Sequence, residues 1–298
     1  MIQYSLRQLA YFAAAAERGS VTAAARALHV SQPSVSTAIA HLERVLRVPL
    51  FLRHHARGLS LTPAGKRLFA EARGLLAHAE ELALEVAGTG ERVRGELQLG
   101  YFVTFAPYYL PRLLARFTRL HPEVSVRLHE GDMETLGRAL GLGALDLALV
   151  YDLALGAGLA RTPLAELPPY ALLPARHPLA KAAKVSLREL VREPFILLDL
   201  PHSREYFRSI FVAYGLEPEV RYSTPSLEMV RGLVARGLGI ALLNVRPAGD
   251  RAYDGSALAC RPLAEAAAAL RIVLVRAAGL RPTRATEALI AMARAAPL

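Results

Sequence analysis

The sequence predicts an α/β protein that begins with a small helical domain, followed by one long helix. Apolar residues recur at helical spacing through residues 5–46, and a heptad repeat follows Pro63. From Gly95 onward, short apolar runs alternate with amphipathic segments. These three patterns divide the 298 residues into an N-terminal domain of residues 1–62, a linker helix with a hinge of residues 63–90, and an α/β domain of residues 95–298.

The N-terminal domain begins with a helix that Ser5 and Gln8 start as a capping box and that ends near Gly19. Two short helices at a sharp bend follow. The second starts at Ser31, carries Pro33 in its first turn, and turns an apolar stripe inward, consisting of Val35, Ile39, Leu42 and Leu46.

The outer face of this second short helix carries small polar side chains, Gln32, Ser34, Ser36 and Thr37, with His41 further along. Short hydroxyl and amide side chains at the start of an exposed helix can reach base edges in the major groove of DNA. The pattern therefore favours DNA binding. The alternative is a helical hairpin that only completes a core.

Two β-prone runs, residues 50–53 and 59–62, flank a tip that resembles a hairpin wing. Arg53 and Arg57 there could hold phosphate or enter the minor groove. Residues 1–62 contain seven arginines against Glu17 and Glu43, and such a surplus suits phosphate contacts. Because no cysteine or carboxylate lies at ligand spacing from the adjacent pair of histidines at 54–55, we expect no metal there.

The long helix starts at Thr62 as cap, with Pro63 at its first position, and runs to about residue 87. Its apolar residues follow a heptad spacing of 4, 3, 4, 3, 4 and form the seam Leu68, Ala72, Leu75, Ala79, Leu82 and Val86. The expected partner of this seam is a second copy of the chain. The alternative is packing against its own domain. Gly88 and Gly90 then indicate a hinge.

In the α/β domain the expected strands are residues 97–101, 124–129, 145–151, 170–174, 195–198, 220–222, 240–243 and 270–275, and the expected helices are 107–119, 134–142, 187–191, 203–212, 226–236 and 283–295. Alternation of this kind predicts parallel sheets with helices on both faces. Two clusters emerge, a lobe I of about residues 95–164 plus 265–298 and a lobe II of about 165–264. Ligands in such folds lie beyond the carboxyl ends of strands, where helix N-termini favour anions.

Composition excludes several classes of protein. Cys260 is the only cysteine, so no internal disulfide forms, and the natural compartment is the cytoplasm. No run of about 18 uncharged apolar residues is present, so we expect no membrane contact. Gly237 and Gly239 lack the third glycine of a dinucleotide fingerprint because position 242 is leucine, and motifs of hydrolases, metalloproteases and P-loop enzymes are missing. We expect neither an enzyme nor a cofactor.

The chain resembles the LysR-type transcriptional regulators. The resemblance rests on AARALHVSQPSVSTAIAHLE and LFLRHHARGLSLTPAG in the N-terminal part, on residues 95–132 with ALDLALV, and on LEMVRGLVARGLGIALL. It implies a winged helix-turn-helix, a dimerising linker helix and a two-lobed effector domain like periplasmic binding proteins. It further implies binding to double-stranded promoter DNA, usually as a tetramer built from two dimers, with RNA polymerase as an optional further partner.

In the DNA-binding part, the resemblance assigns roles to individual residues. Gln32, Pro33, Ser34 and Ser36 match the start of the recognition helix, and Arg53 matches the wing arginine. Thr37 departs from the family pattern, because many members have arginine there.

In the effector domain, Thr104 falls where the family often binds its inducer, and Pro201, His202 and Ser203 match the loop that closes from lobe II. Phe105 is expected either to frame an effector ring or to belong to the core. Met133 stands where other members have a hydroxyl. The hydroxyls and helix N-termini around the cleft favour a small carboxylate or another anion.

Three alternatives to an effector-controlled regulator remain: a redox sensor of the same architecture, a DNA-bound architectural protein without ligand control, and an α/β enzyme fused to a helix-turn-helix. One cysteine cannot supply an intramolecular thiol pair, which disfavours the redox sensor. The length of the α/β domain disfavours the architectural protein.

Overall fold

The computed structural model describes residues 3–54, 58–86 and 92–295. In chain order the elements are α1 Leu6–Arg18, α2 Val21–Ala27, α3 Gln32–Leu46, β1 Phe51–His54, β2 Gly58–Leu61, α4 Pro63–Val86, β3 Gly95–Phe102, α5 Ala106–Leu120, β4 Val124–Gly131, α6 Met133–Gly141, β5 Leu147–Tyr151, β6 Leu159–Leu167, β7 Tyr170–Pro174, α7 Leu187–Leu190, β8 Phe195–Leu198, α8 Ser203–Val212, β9 Val220–Thr224, α9 Leu227–Ala235, β10 Ala241–Leu243, β11 Leu258–Pro262, β12 Leu270–Ala277 and α10 Arg284–Ala295. A short 3-10 turn, Pro178–Lys181, precedes α7. The hinge glycines expected at 88 and 90 lie outside the described residues.

The N-terminal domain is a three-helix unit with a two-stranded wing. The side chains of Ser5, Ser20 and Ser31 each accept a hydrogen bond from a backbone N–H in the first turn of α1, α2 and α3, which satisfies donors that a helix start leaves open. The wing strands β1 and β2 pair antiparallel. The rings of Phe12 and Phe51 lie 5.3 Å apart between centroids and join α1 to the wing.

The linker helix α4 starts where the sequence predicts. The Thr62 hydroxyl accepts a hydrogen bond from Gly65 N at 3.0 Å and donates to Pro49 O at 2.7 Å, so it caps the helix and anchors the end of the wing. The helix packs against α1 and contributes Phe69 and Ala72 to the buried core of the N-terminal domain.

The heptad seam of α4 is divided in the structure. Ala72 is buried within its own chain, so it belongs to the N-terminal core and does not present the dimer contact expected from the heptad pattern. Leu75, Leu82 and Val86 are 48%, 61% and 82% exposed. This exposed part of the seam remains a prediction for a contact between two chains.

Lobe I contains a five-stranded sheet in the order β4-β3-β5-β12-β6. Strand β3 runs parallel to β4 and β5, whereas β12 runs antiparallel to β5 and β6. The last strand and helix thus return to lobe I as expected. The prediction of a wholly parallel sheet is wrong. Strand β12 enters lobe I from lobe II and runs in the opposite direction to β5 and β6.

Lobe II contains strands in the order β10-β7-β11 and a parallel pair of β8 with β9. A bridge between Phe195 and Ile240 joins the two groups, with Ile196 N donating to Ile240 O at 2.8 Å. Strand β7 is antiparallel to both neighbours, again unlike the expected parallel sheet. Because β6 extends to Leu167 within the lobe I sheet, the chain crosses to lobe II at 168–169, slightly later than expected.

The linker helix also contacts lobe I of the same chain. Arg73 on α4 donates a short hydrogen bond to Gly143 O, and its Nη2 lies 3.3 Å from Asp146 Oδ1. Further along, Glu81 Oε1 accepts from Arg284 N at 2.7 Å. The helix is therefore shared between the N-terminal domain and lobe I.

No helix in the described part of the chain is both long enough and apolar enough to cross a bilayer.

Candidate DNA-binding face and effector cleft

The start of α3 presents polar side chains to solvent. Gln32, Pro33, Ser34 and Thr37 are exposed and Ser36 is half-buried, whereas Val35 is buried beneath them. Gln32 Nε2 donates to Ser36 Oγ at 2.9 Å, and the hydroxyls of Ser31 and Ser34 lie 2.7 Å apart. These internal hydrogen bonds order the short side chains at the exposed start of the helix.

Glu43 fixes the wing relative to α3, a role that sequence reasoning missed. Its Oε1 accepts from Leu50 N at 2.8 Å and from Phe51 N at 3.4 Å. The side chain of Glu43 therefore fixes the start of β1 relative to α3. Arg53 lies in β1, opposite Leu59 in β2. Arg57 lies outside the described residues.

A cavity of about 420 Å³ separates the two lobes. Lobe I and lobe II both contribute to its wall, which consists of Val103, Thr104, Pro107, Tyr108, Leu200, Pro225, Ser226, Leu227, Glu228 and Tyr253. Thr104 lies between the end of β3 and the start of α5, at the carboxyl end of a parallel strand. This is where open α/β sheets bind ligands.

A buried hydrogen bond near Thr104 crosses between the lobes. The Tyr151 hydroxyl of lobe I donates to Asn244 Oδ1 of lobe II at 3.2 Å. Burial raises the pKa of Tyr151, so its hydroxyl keeps its proton at neutral pH. The amide Nδ2 of Asn244 is buried and has no partner among the described residues.

A second contact between the lobes lies in the wall of the cavity. Tyr108 on α5 donates to Glu228 Oε1 on α9 at 3.1 Å. Burial, and then the charge of Glu228, raises the pKa of Tyr108 to about 12. Arg231, which is 1% exposed, places its Nε 3.1 Å from the same Oε1 at an ion-pair distance, and its Nη2 donates to Arg251 O at 2.6 Å.

The structure separates the expected effector residues. Thr104 lines the cleft. Phe105 does not, because it is fully buried in an aromatic cluster with Phe102 and Tyr151. Met133 is buried at the start of α6 in the lobe I core and is not among the residues that line the cleft.

The lobe II loop adjoins the cleft through Leu200. Pro201 and His202 are half-buried, and Ser203 is buried at the first position of α8. His202 occupies the left-handed region at φ 66° and its side chain makes no cap hydrogen bond. Backbone N–H groups at this helix start are therefore not capped by that side chain.

Sequence reasoning also missed Tyr108, Glu228 and Asn244. None of the three lies in a recognisable motif of charged or metal-binding residues. The sequence contained one signal, at Asn244. The resembled family commonly has proline at this position, so the asparagine was a departure from the family pattern. No group of three or more His, Cys, Asp or Glu side chains is placed to hold a metal in residues 3–54, 58–86 and 92–295.

Comparisons with known proteins agree with this architecture. The family profile described as "Bacterial regulatory helix-turn-helix protein, lysR family" matches residues 6–66, and that described as "LysR substrate binding domain" matches residues 90–297. The HTH-type transcriptional regulator CfxR of Cupriavidus necator is 34% identical over 247 residues, which cover 82% of this chain and 77% of CfxR.

Solved structures show the same likeness. HinK, a LysR family transcriptional regulator from Pseudomonas aeruginosa, is 39% identical, with a TM-score of 0.67 over 98% of each chain. A full-length OxyR variant from Pseudomonas aeruginosa is 27% identical, with a TM-score of 0.81 over 99% of this chain and 96% of that one.

A winged helix-turn-helix joined by a long helix to a two-lobed domain with a central cleft defines a DNA-binding regulator that responds to a small molecule. The chain belongs to the family of LysR-type transcriptional regulators. Members of this family bind promoter DNA and small-molecule effectors and form oligomers. That the relatives are transcriptional regulators is consistent with a protein that is not an enzyme.

Proposed function

We propose that the exposed start of α3, from Gln32 to Thr37, reads base edges in the major groove, and that Arg53 and Arg57 of the wing hold the phosphate backbone. The observation that carries this proposal is the exposure of polar side chains directly above a buried apolar face. In this proposal residues 1–62 bind DNA, residues 63–90 link two chains, and residues 95–298 bind the effector. A dimer of dimers would present several such helices to one promoter, where RNA polymerase could be contacted.

We further propose that the effector is a small carboxylate bound in the cleft between the lobes. Thr104 lines the cleft from lobe I, and Leu200, in the loop that leads into α8, lines it from lobe II. The start of α8 would direct its N–H groups toward an anion that reaches this loop. Glu228 is the one acidic side chain in the described cavity wall, and Arg231 lies at an ion-pair distance from it. A ligand that touches both lobes would favour one angle between them, provided that its affinity for the two conformers differs.

The recognition helix can be tested with Gln32→Ala on a DNA site selected by the wild-type protein from a randomised duplex pool. Loss of an amide contact to a base should weaken binding to that site by roughly 1–3 kcal/mol and leave binding to unrelated DNA unchanged. Fluorescence anisotropy at fixed salt measures both. Gln98→Ala, the same change in lobe I, is the control. Equal affinities for wild type and Gln32→Ala would place the recognition surface elsewhere.

A further inference from the structure

A second cavity, of about 310 Å³, lies at the hinge where the chain passes between the lobes. Its wall contains Leu167, Pro168, Pro169 and Tyr170 from the first crossing and Cys260, Arg261 and Pro262 from the end of β11, together with Tyr109, Asn244 and Arg246. None of these residues lines the cleft that contains Thr104. The volume is at the lower end of the range for small-molecule sites.

The charged groups in the described wall of this hinge cavity are both cationic. Arg246 is paired with Asp250, with Nη2 at 3.1 Å from Oδ2. Arg261 donates from Nη1 to Cys260 O at 2.8 Å and forms no ion pair with any described carboxylate. The remaining polar groups are neutral, because burial raises the pKa of the Cys260 thiol to about 11 and also raises the pKa of Tyr109 and Tyr170.

A buried donor without a partner also belongs to this wall. Asn244 is only 7% exposed, and its Oδ1 is occupied by the Tyr151 hydroxyl. Its Nδ2 is left without a hydrogen bond. A buried amide donor without a partner costs free energy.

We propose that the hinge cavity is a second ligand site, and that its ligand is a small aromatic carboxylate. The aromatic and proline side chains Tyr109, Pro168, Pro169 and Tyr170 suit a flat apolar ring. The Arg261 guanidinium suits a carboxylate, since it offers parallel N–H donors. The site is separate from the effector cleft of the proposed function and does not depend on it.

Occupation of this site would act on both lobes. Tyr109 belongs to α5 of lobe I, while Asn244 follows β10 of lobe II. Asn244 also accepts the hydrogen bond from Tyr151 of lobe I. A ligand bound beside Asn244 therefore acts next to a hydrogen bond between the lobes, and any coupling between the two sites is reciprocal in free energy.

The test uses 4-fluorobenzoate as the probe, with fluorine NMR titrations of the full-length protein. Wild type should bind it saturably, and 4-fluorobenzyl alcohol, which has the same ring without the charge, should bind at least about tenfold more weakly. Arg261→Gln should weaken 4-fluorobenzoate binding by at least about tenfold, and Arg261→Lys by less. Arg221→Gln, an exposed arginine on β9, is the matched control and should bind as wild type does.

Three results would overturn the proposal: no saturable binding by wild type, equal affinities for the acid and the alcohol, or unchanged affinity in Arg261→Gln. Tyr253→Ala, which alters the cleft wall at an 88% exposed side chain, distinguishes the two cavities. A loss of binding in Tyr253→Ala but not in Arg261→Gln would assign the probe to the cleft. That result would leave the proposed effector site standing and remove the hinge site.

Discussion

Two tyrosine hydroxyls of lobe I form neutral or singly charged hydrogen bonds with lobe II. Tyr151 donates to Asn244 and Tyr108 donates to Glu228. A neutral hydrogen bond contributes about 0.5–1.5 kcal/mol, and one to a charged group contributes about 1.5–3 kcal/mol. These two bonds therefore favour the angle between the lobes that the structure shows.

Tyr151 and Asn244 should behave as one unit in stability measurements, because they share a buried hydrogen bond. Tyr151→Phe removes the donor and Asn244→Leu removes the acceptor, and each should cost roughly 0.5–1.5 kcal/mol in the free energy of unfolding. Because both changes remove the same hydrogen bond, the double variant should cost less than the sum. Urea unfolding of all four proteins measures the cycle, and strict additivity would show that the two side chains do not interact.

At this scale the sequence predicted positions better than contacts. Thr104 could be placed at a strand end from the resemblance, and the structure has it on the cleft wall. Phe105 is the next residue, and its side chain points into the core. In a turn between a strand and a helix, a shift of one residue decides whether a side chain faces the cleft or the core, and the sequence does not determine this shift. Glu228 and Asn244 depend on packing between lobes far apart in sequence, and no local pattern reports such packing.

Among the elements, the long helix α4 uses three faces for three purposes. Phe69 and Ala72 face the N-terminal core, Ala70 and Arg73 face lobe I, and the stripe containing Leu75 and Leu82 is exposed. A helix of this length with an exposed leucine stripe gains stability from a partner. The predicted contact with a second chain therefore involves fewer residues than the full heptad seam, because Ala72 is buried in its own chain.

Replacement of both exposed leucines, Leu75→Glu with Leu82→Glu, should dissociate the dimer, because two charges cannot be hydrated inside a closed apolar seam. DNA affinity should fall as well, since two half-sites would no longer be linked. Light scattering reports the mass. Leu120→Glu with Val212→Glu, which changes two exposed apolar residues outside α4, should leave the dimer intact. A dimer that survives the α4 change would place the interface elsewhere.

Strands were predicted less completely than helices. Strand β6 escaped prediction because Pro163 interrupts its pattern. In the structure Pro163 lies opposite Val273, next to a register shift at which Leu164 is an extra residue of β6. Proline is tolerated at such a point of a sheet, where a ladder hydrogen bond is missing. Strand β11 is short and was also missed. The antiparallel direction of β12 results from the two crossings of the chain between the lobes, and the local sequence of β12 does not encode these crossings.

In the whole molecule, Arg73 joins the three parts of the chain. It binds Gly143 O and Asp146 of lobe I, and its Nε lies 3.9 Å from Glu17 of α1. Asp146 in turn accepts from Gln98 N at 2.7 Å. Burial raises the pKa of Asp146, although Arg73 and this backbone bond act in the opposite direction. One side chain thus lies between α1 and lobe I.

Gly143→Ala should loosen this junction. Gly143 has φ +64°, and a Cβ there would lie 2.4 Å from Ala70 Cα on α4. We expect a loss of roughly 1–3 kcal/mol in the free energy of unfolding and faster hydrogen exchange in α4. Gly137→Ala, where a Cβ meets nothing within 4 Å, is the control and should be neutral or slightly stabilising. Unchanged exchange in α4 would mean that the helix does not rest on lobe I in solution.

The docking of α4 on two partners has a consequence for hybrid regulators. A hybrid joined before Pro63 would bring a foreign helix against Phe12 and Phe51, whereas one joined after Val86 would bring a foreign lobe I against Ala70 and Arg73. Neither junction transfers a self-contained module. Exchange of DNA specificity between such proteins should therefore succeed when only the exposed residues of α3 are transferred. Both contact surfaces of α4, toward the N-terminal domain and toward lobe I, then keep their native residues.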